Sequence, residues 1–278
     1  MLQNQSFETV SLQEELEATQ TELFVLESVN VLTEAEDAAA GEEQGSSKLK
    51  EYAQKAKDFF IKIAKAIAEA FKKFTAFFVE AFNKLQSRTV NVEKFIKDAK
   101  SKISDSSKKL ETAKEYQYLS PGALVSLKTL KPSDDRFDKV FEQTKNDLTN
   151  GSKIKGGTVT DYSSALSAVN TVKKAVKDVK ASADAVKESN KEVQTKAKEG
   201  IQSAARNDNE TVKVKKAEIA KASKLNSFAR SVNSKSISMS NKALAVAYAA
   251  TKELLRGNTG STGEGVQSAK KDAKKAAK

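Results

Sequence analysis

The sequence predicts an all-α, elongated protein of long amphipathic helices, with a C-terminal antiparallel helical hairpin and disordered termini. Three observations favour this class. Apolar residues recur every three or four positions over long stretches, which is the spacing of one helix face. Only two prolines, Pro121 and Pro132, interrupt the 278 residues. Hydrophobic residues make up 38% and aromatic residues 6% of the chain, which is typical of helices that bury narrow seams.

Residues 1–43 form an acidic leader with eleven acidic residues and neither Lys nor Arg. Leu12, Leu16 and Leu23 have the spacing of an amphipathic helix, and this pattern is lost over 35–47, which predicts a flexible linker. Because the whole chain carries a net charge of +11, the residues after the leader carry +22. This asymmetry indicates a removable or masking segment on a body that binds polyanions.

Residues 48–86 predict one long helix with a Phe-rich stripe and lysines on the opposite face. Its apolar stripe has three interpretations: ordinary core, a membrane-surface helix with lysines at the lipid phosphates, or an interface with a partner or a second copy. The residues predicted to form such a membrane or partner face are Phe60, Ile63, Ile67, Phe71, Phe74 and Phe78.

A second helix is predicted over 90–115 and completes a unit over 44–118. Both prolines lie in the next unit, 119–157, which is predicted to be a loop followed by a short helix. Ser133 and the two acidic residues after it indicate a helix start. The predicted buried face of this short helix consists of Phe137, Val140, Phe141 and Leu148.

Residues 158–256 predict a long helical hairpin. Small apolar residues alternate by three and four for about five heptads, a coiled-coil-like seam that favours two long helices packed together. A polar stretch over 204–210 is the candidate turn, and a bent continuous rod is the alternative to a hairpin. Asn190 and Asn233 fall in the seam, where they either fix the register or face solvent.

The last unit, 257–278, is predicted to be a flexible tail that starts with a Gly-rich linker and ends in lysine and alanine. The tail resembles the lysine–alanine tails of linker-histone-type proteins, which implies contact with DNA. The residues in question are Lys270, Lys271, Lys274, Lys275 and Lys278.

The missing residue types exclude several kinds of chemistry. The chain has no Cys and no His, so it has no disulfide, no ordinary zinc site and no Ser-His or Cys-His nucleophile pair. No glycine–lysine spacing matches a phosphate-binding loop. No apolar run reaches the roughly 20 residues of a bilayer span, and the N-terminus does not look like a signal peptide. We therefore expect a non-enzymatic protein with no cofactor.

A short motif lies where the acidic leader ends. Ala40-Gly41-Glu42 and the overlapping Gly41-Glu42-Glu43 both read as a small residue, any residue, then Glu. A related motif with a leading Leu occurs at Leu12-Gln13-Glu14 and Leu32-Thr33-Glu34. Together with the Lys-rich, Cys-free helical body, this arrangement resembles the internal head, or inner-body, proteins of large tailed bacteriophages. Those proteins carry an acidic propeptide that a phage maturation protease removes after such a Glu. The resemblance implies cleavage after Glu42 or Glu43.

The predicted function is that of a non-enzymatic structural protein inside a phage capsid, which binds DNA through lysines after the leader is removed. Only five of the 48 basic residues are Arg, so DNA contact is expected to be non-specific. The resemblance implies a location in the virion, in the capsid interior, and in the host cytoplasm if the protein is ejected. Expected partners are DNA, other capsid-internal proteins or further copies, and the maturation protease. The alternatives are a membrane-active helical protein and a capsid scaffolding or core protein.

Overall fold

The computed structural model of the protein describes residues 46–102, 108–149 and 154–258. Within these ranges it contains five α-helices, one 3₁₀ turn and a two-stranded sheet, which confirms the predicted helical class and the C-terminal hairpin. The predicted flexible termini lie outside the described residues. The elements in chain order are α1 (Ser46–Ser101), β1 (Lys114–Leu119), the 3₁₀ turn (Pro121–Ala123), α2 (Leu124–Leu127), α3 (Phe137–Thr149), β2 (Ile154–Val159), α4 (Tyr162–Ala205) and α5 (Asn209–Asn258).

Helix α1 is a single helix of 56 residues, so the prediction of two helices, over 48–86 and 90–115, is wrong. The apolar stripe continues through the predicted break, where Leu85, Thr89 and Val92 are buried. The Thr89 hydroxyl also donates a hydrogen bond of 2.7 Å to the Leu85 carbonyl, so this polar residue is accommodated within the helix. With neither Gly nor Pro in α1, nothing stops the helix there.

The two-stranded sheet corrects a second expectation. Residues 114–115 were predicted to end a helix and 116–119 to begin a loop, but they form β1, which pairs antiparallel with β2. Tyr116 lies opposite Gly157 in the register, and a Cβ on Gly157 would come within 2.5 Å of the Tyr116 hydroxyl. The aromatic ring therefore requires a glycine at this position of β2.

Helix α3 confirms the predicted short helix, and its predicted apolar face points inward. Phe137, Phe141 and Leu148 are buried, and Val140 is partly buried beside them. The Phe141 ring meets Phe228 of α5 edge-to-face at 5.4 Å between ring centroids, a favourable aromatic geometry. Helices α2 and α3 thus cover the middle of the longer helices.

Helices α4 and α5 form the antiparallel hairpin, and the alternative of one bent rod is excluded. Residues 206–208 connect them, with Asn207 in the left-handed region at φ 57°, a conformation that Asn tolerates better than most residues. Partners across the hairpin run in opposite directions along the chain: Lys196 contacts Glu218 and Ser182 contacts Asn233. The small residues of α4 allow this close approach.

The start of α4 and the tip of the hairpin are both fixed by polar contacts. Asp161 caps α4 by accepting a hydrogen bond of 2.7 Å from the Ser164 amide, and the Ser164 hydroxyl accepts one from the Asp161 amide. Near the tip, Lys215 bridges Glu199 and Glu218 at 2.8 and 2.9 Å. Burial alone would lower the pKa of Lys215, but these two hydrogen bonds raise it above its ordinary value.

Helix α1 lies against the hairpin and completes a three-helix bundle. It runs antiparallel to α4, because the Gln194 side-chain amide donates to the Ala64 carbonyl at 2.8 Å whereas Lys173 contacts Glu93. It runs parallel to α5, because Lys216 contacts the Tyr52 hydroxyl at 3.3 Å and Arg88 contacts Asn241 at 3.2 Å. The start of α1 is consequently at the tip of the hairpin.

Candidate functional site

The predicted site residues fall into three groups, of which the structure describes one. The candidate cleavage residues Glu42 and Glu43 lie outside the described residues. The tail lysines predicted to contact DNA, Lys270, Lys271, Lys274, Lys275 and Lys278, also lie outside them. The predicted membrane or partner face lies on α1 and is fully described.

The predicted membrane or partner face lies in the core of the bundle. Phe60, Ile63 and Ile67 are fully buried and pack with Val193 and Ala197 of α4. Phe74 is 2% exposed, while Phe71 and Phe78 are partly buried beside the cluster that contains α2 and α3. Of the three interpretations of this stripe, the structure favours ordinary core. A membrane or a partner reaches these side chains only if α1 leaves the hairpin.

The exposed edge of α4 carries a row of lysines that the sequence analysis did not single out. At 3.6 residues per turn, six lysines lie within an arc of about 80° on this helix. The other residues in the arc are Asp184 and Thr195. The row extends for about 38 Å along α4. Its members are Lys173, Lys177, Lys180, Lys187, Lys191 and Lys198, all exposed or half-exposed.

A second row on α1 lies across the seam from the first. Its members also fall within an arc of about 80°, and Glu93 is the acidic residue in that arc. Two contacts show that this side of α1 lies next to α4. Glu93 of α1 reaches Lys173 at 2.5 Å, and the Gln194 side chain of α4 donates to the Ala64 carbonyl. The α1 lysines are Lys57, Lys65, Lys72 and Lys97, all exposed. We call the two rows together the lysine face.

Glu93 holds the two rows together. Its carboxylate accepts hydrogen bonds from Lys173 at 2.5 Å and from Lys97 at 2.8 Å. The hydrogen bond from Lys173, followed by that from Lys97, lowers the pKa of Glu93 below its ordinary value. The charge of this carboxylate therefore persists through neutral and mildly acidic pH, and it neutralises part of the face at one end. Among the lysines nearer the hairpin tip, Lys191 pairs at 2.8 Å with Glu188, which lies just outside the arc on α4.

The buried part of α5 is unusually polar. Asn233 is fully buried, donates to the Ala229 carbonyl at 2.8 Å and accepts from the Ser182 hydroxyl at 2.6 Å. One heptad away, about two helical turns, Asn226 donates to Ser189 at 3.0 Å. These cross-helix hydrogen bonds match the α4–α5 register, as predicted for Asn233. The half-buried Asn190 makes no comparable bond from its carbonyl oxygen among the described residues.

A groove of about 820 Å³ lies between the sheet and α5. Tyr116, Gly157 and Met239 contribute apolar surface, while Glu115 and Lys235 contribute opposite charges. This mixed lining contrasts with the lysine face, where one sign of charge predominates. The lysine face is therefore the more specific chemical feature of the described surface.

Comparison with other proteins and with general site patterns adds no further assignment. Among the described helices, none has an apolar stretch of the length and hydropathy that crossing a bilayer requires. In the same ranges, no group of three or more carboxylates is arranged to hold a metal ion. The chain matches no protein-family model, no curated protein and no solved structure.

Proposed function

We propose that the protein is a non-enzymatic structural protein that binds duplex DNA without sequence preference through the lysine face. The observation that supports this proposal is the row of six lysines along α4, bordered by four more on α1. The row is about 38 Å long, close to the roughly 34 Å of one turn of B-DNA. A protein of this shape lies along the phosphate backbone without inserting an element into a groove.

The chemistry of the face fits non-specific binding. Lysine is a compact, strongly hydrated point charge, whereas arginine forms the bidentate contacts that distinguish bases. All ten members of the lysine face are lysines. Binding of this kind is driven by the release of counterions, so each lysine that neutralises a phosphate adds about 0.9 to the salt dependence of log K. The predicted tail lysines would add to this term.

We further propose, on the sequence resemblance, that this binding takes place inside a phage capsid after proteolytic removal of the acidic leader. The support is the leader of net charge −11, the cleavage motif at Glu42 and Glu43, and the basic, Cys-free body. The maturation protease and other capsid-internal proteins are the partners in this setting. The protein would share the capsid interior with the genome and enter the host cytoplasm if ejected with it.

DNA binding is tested with matched lysine variants of the full chain at low salt. The triple variant K187Q/K191Q/K198Q removes three charges from the lysine face. The control K131Q/K139Q/K155Q removes three exposed lysines, from the loop between α2 and α3, from α3 and from β2. We expect the first variant to lower the slope of log K against log salt by about two to three units and the affinity by roughly tenfold or more.

The control variant should change both quantities far less, because its lysines lie away from the two rows. Equal losses in both variants would show that net charge alone attracts DNA, and would contradict a defined face. A wild-type chain whose binding to duplex DNA is independent of salt would contradict the proposal as a whole. Circular dichroism of each variant confirms that the helices are retained.

The capsid setting is tested by intact mass and N-terminal sequencing of the protein from its native source. We expect the mature chain to start at Glu43 or Gln44, because the motif places a cleaved bond after Glu42 or Glu43. Removal of the leader would then raise the net charge from +11 to +21 for a start at Glu43 or +22 for a start at Gln44. A chain that starts at Met1 or Leu2 throughout would exclude a charge switch by proteolysis.

A further inference from the structure

The last part of the leader is its most acidic stretch and ends just before α1. Five of the ten residues 34–43 are acidic, and none is basic. The five are Glu34, Glu36, Asp37, Glu42 and Glu43. Helix α1 begins at Ser46, so this stretch is tied to the bundle by a linker of two residues. The tie fixes which part of the surface the acidic residues can reach.

The start of α1 lies at the tip of the hairpin, at one end of the lysine face. Lys57 is about 16 Å along α1 from Ser46, and Lys72 about 39 Å. A segment of twelve extended residues spans about 41 Å, so residues 34–45 folded back along α1 reach as far as Lys72. Across the seam, this length corresponds to Lys198, Lys191 and Lys187 of α4, since Gln194 is opposite Ala64.

The part of the face within reach carries six lysines and one acidic contact, from Glu188 to Lys191 at 2.8 Å. It holds Lys57, Lys65 and Lys72 on α1 and Lys187, Lys191 and Lys198 on α4, and we call it the tip half. The acidic residues of the two arcs, Glu93 and Asp184, both lie outside it. Five carboxylates on one tethered segment thus come within reach of six lysines arranged in two parallel rows.

We propose that residues 34–43 dock on the tip half of the lysine face and occupy the place of the DNA backbone. The acidic segment is an internal competitor, so the uncleaved chain binds DNA weakly and cleavage after Glu42 or Glu43 frees the face. The regulatory consequence rests on the proposed DNA-binding function, but the docking itself is a property of this chain and is measurable without DNA.

The energetics suit a reversible contact. Single exposed ion pairs contribute little binding free energy, too little for a free peptide of this size to bind tightly. A short tether raises the local concentration of the segment to the millimolar range, at which several weak pairs suffice. Screening lengths fall from about 10 Å at 0.1 M salt to about 3 Å at 1 M. The docked state is therefore expected at low salt and lost at high salt.

Docking is tested with spin labels, for which the chain is suited because it has no Cys. The variant T195C carries a label in the tip half of the face. The control V214C carries one at the same end of the bundle but on α5, outside the two lysine rows, where Val214 is 53% exposed. Amide signals of residues 34–43 in the isotope-labelled full chain are then measured at about 0.1 M and 1 M salt.

We expect the label at position 195 to broaden the signals of residues 34–43 severalfold more than the label at position 214. The difference should disappear at high salt. Equal broadening from both labels, or none from either, would overturn the docking proposal, whatever the protein does with DNA.

The competition is tested by neutralising the segment in the full chain. The variant E34Q/E36Q/D37N/E42Q/E43Q removes five negative charges near the tether. The control E8Q/E14Q/E15Q/E17Q/E22Q removes five from the distant part of the leader. With duplex DNA at about 0.1 M salt, we expect roughly a tenfold gain in affinity for the first variant and less than about threefold for the control.

When E34Q/E36Q/D37N/E42Q/E43Q is combined with K187Q/K191Q/K198Q, the gain in DNA affinity should disappear. The acidic segment and DNA then both lose the same three lysines. Equal gains in the two acidic variants would show long-range charge instead of docking and overturn the proposal. If no variant binds DNA while the spin labels still report contact, the proposed function fails and the docking stands. If DNA binds but the spin labels report no contact between residues 34–43 and the lysine face, the docking proposal fails and the proposed DNA-binding function stands.

Discussion

Replacement of Ile63 by glutamate is expected to abolish cooperative folding of the bundle, or to lower its free energy of unfolding by at least about 4 kcal/mol. Ile63 is fully buried on α1 and packs among Phe59, Phe60 and Ile67. The neighbours of Ile63 in this cluster are apolar, so a carboxylate placed there loses its hydration. Since single domains are stable by only about 5–15 kcal/mol, one such charge is a large fraction of the total. Urea denaturation followed by circular dichroism measures the loss.

The matched control is Ala68→Glu, which adds the same charge to an exposed position of the same helix. Its free energy of unfolding should stay within about 0.5 kcal/mol of the wild type. If Ile63→Glu proved as stable as this control, the Phe-rich stripe would not be core. The membrane-surface and partner-interface interpretations of α1 would then replace it, and the bundle described above would be wrong.

Replacement of Gly200 by alanine is expected to lower the free energy of unfolding by about 1–3 kcal/mol, against the intrinsic preference of helices for alanine. An added Cβ at this position would lie 2.4 Å from the Phe60 ring. The ring is fully buried and meets Phe59 edge-to-face at 5.1 Å, so it has no free space into which to move. The close approach of α1 and α4 depends on the missing side chain.

The sign of the effect should reverse when the ring is removed. Phe60→Ala alone leaves a cavity and costs about 3–5 kcal/mol. In that background Gly200→Ala should be stabilising by about 1 kcal/mol, because only the helix propensity remains. Thermal and urea unfolding of the four proteins in this cycle give the coupling directly. Additive effects of the two substitutions would show that the ring and the glycine do not touch.

Local periodicity was sufficient to predict the helices but not their limits. The stripe of α1 and the alternating small residues of α4 repeat too regularly for any structure other than a helix. The break expected near 86–90 was wrong because the buried stripe continues through it with Leu85, Thr89 and Val92, and the Thr89 hydroxyl is satisfied within its own helix. The sheet was missed because 34 residues lie between the end of β1 and the start of β2. Neither strand can be recognised in the sequence unless its pairing partner is known.

The lysine face could not be predicted from the sequence for a related reason. Lysines occur on every exposed side of α1 and α4, and the sequence does not say which side of one helix faces which side of the other. The Glu93–Lys173 and Ala64–Gln194 contacts supply that information. The same ambiguity led to three interpretations of the Phe-rich stripe, because an apolar face looks alike whether it packs on helices, lipid or a partner.

The connection of only three residues at the hairpin tip has a mechanical consequence. Because α4 and α5 run antiparallel, the end of α5 and the start of α4 lie at the same end of the bundle. A force applied between the start of α4 and the end of α5 therefore separates these two helices one layer at a time, instead of shearing all layers at once. The layers of the α4–α5 seam contain small side chains and single hydrogen bonds such as Ser182–Asn233. We expect the two helices to separate at a lower force than they would under a load applied in shear.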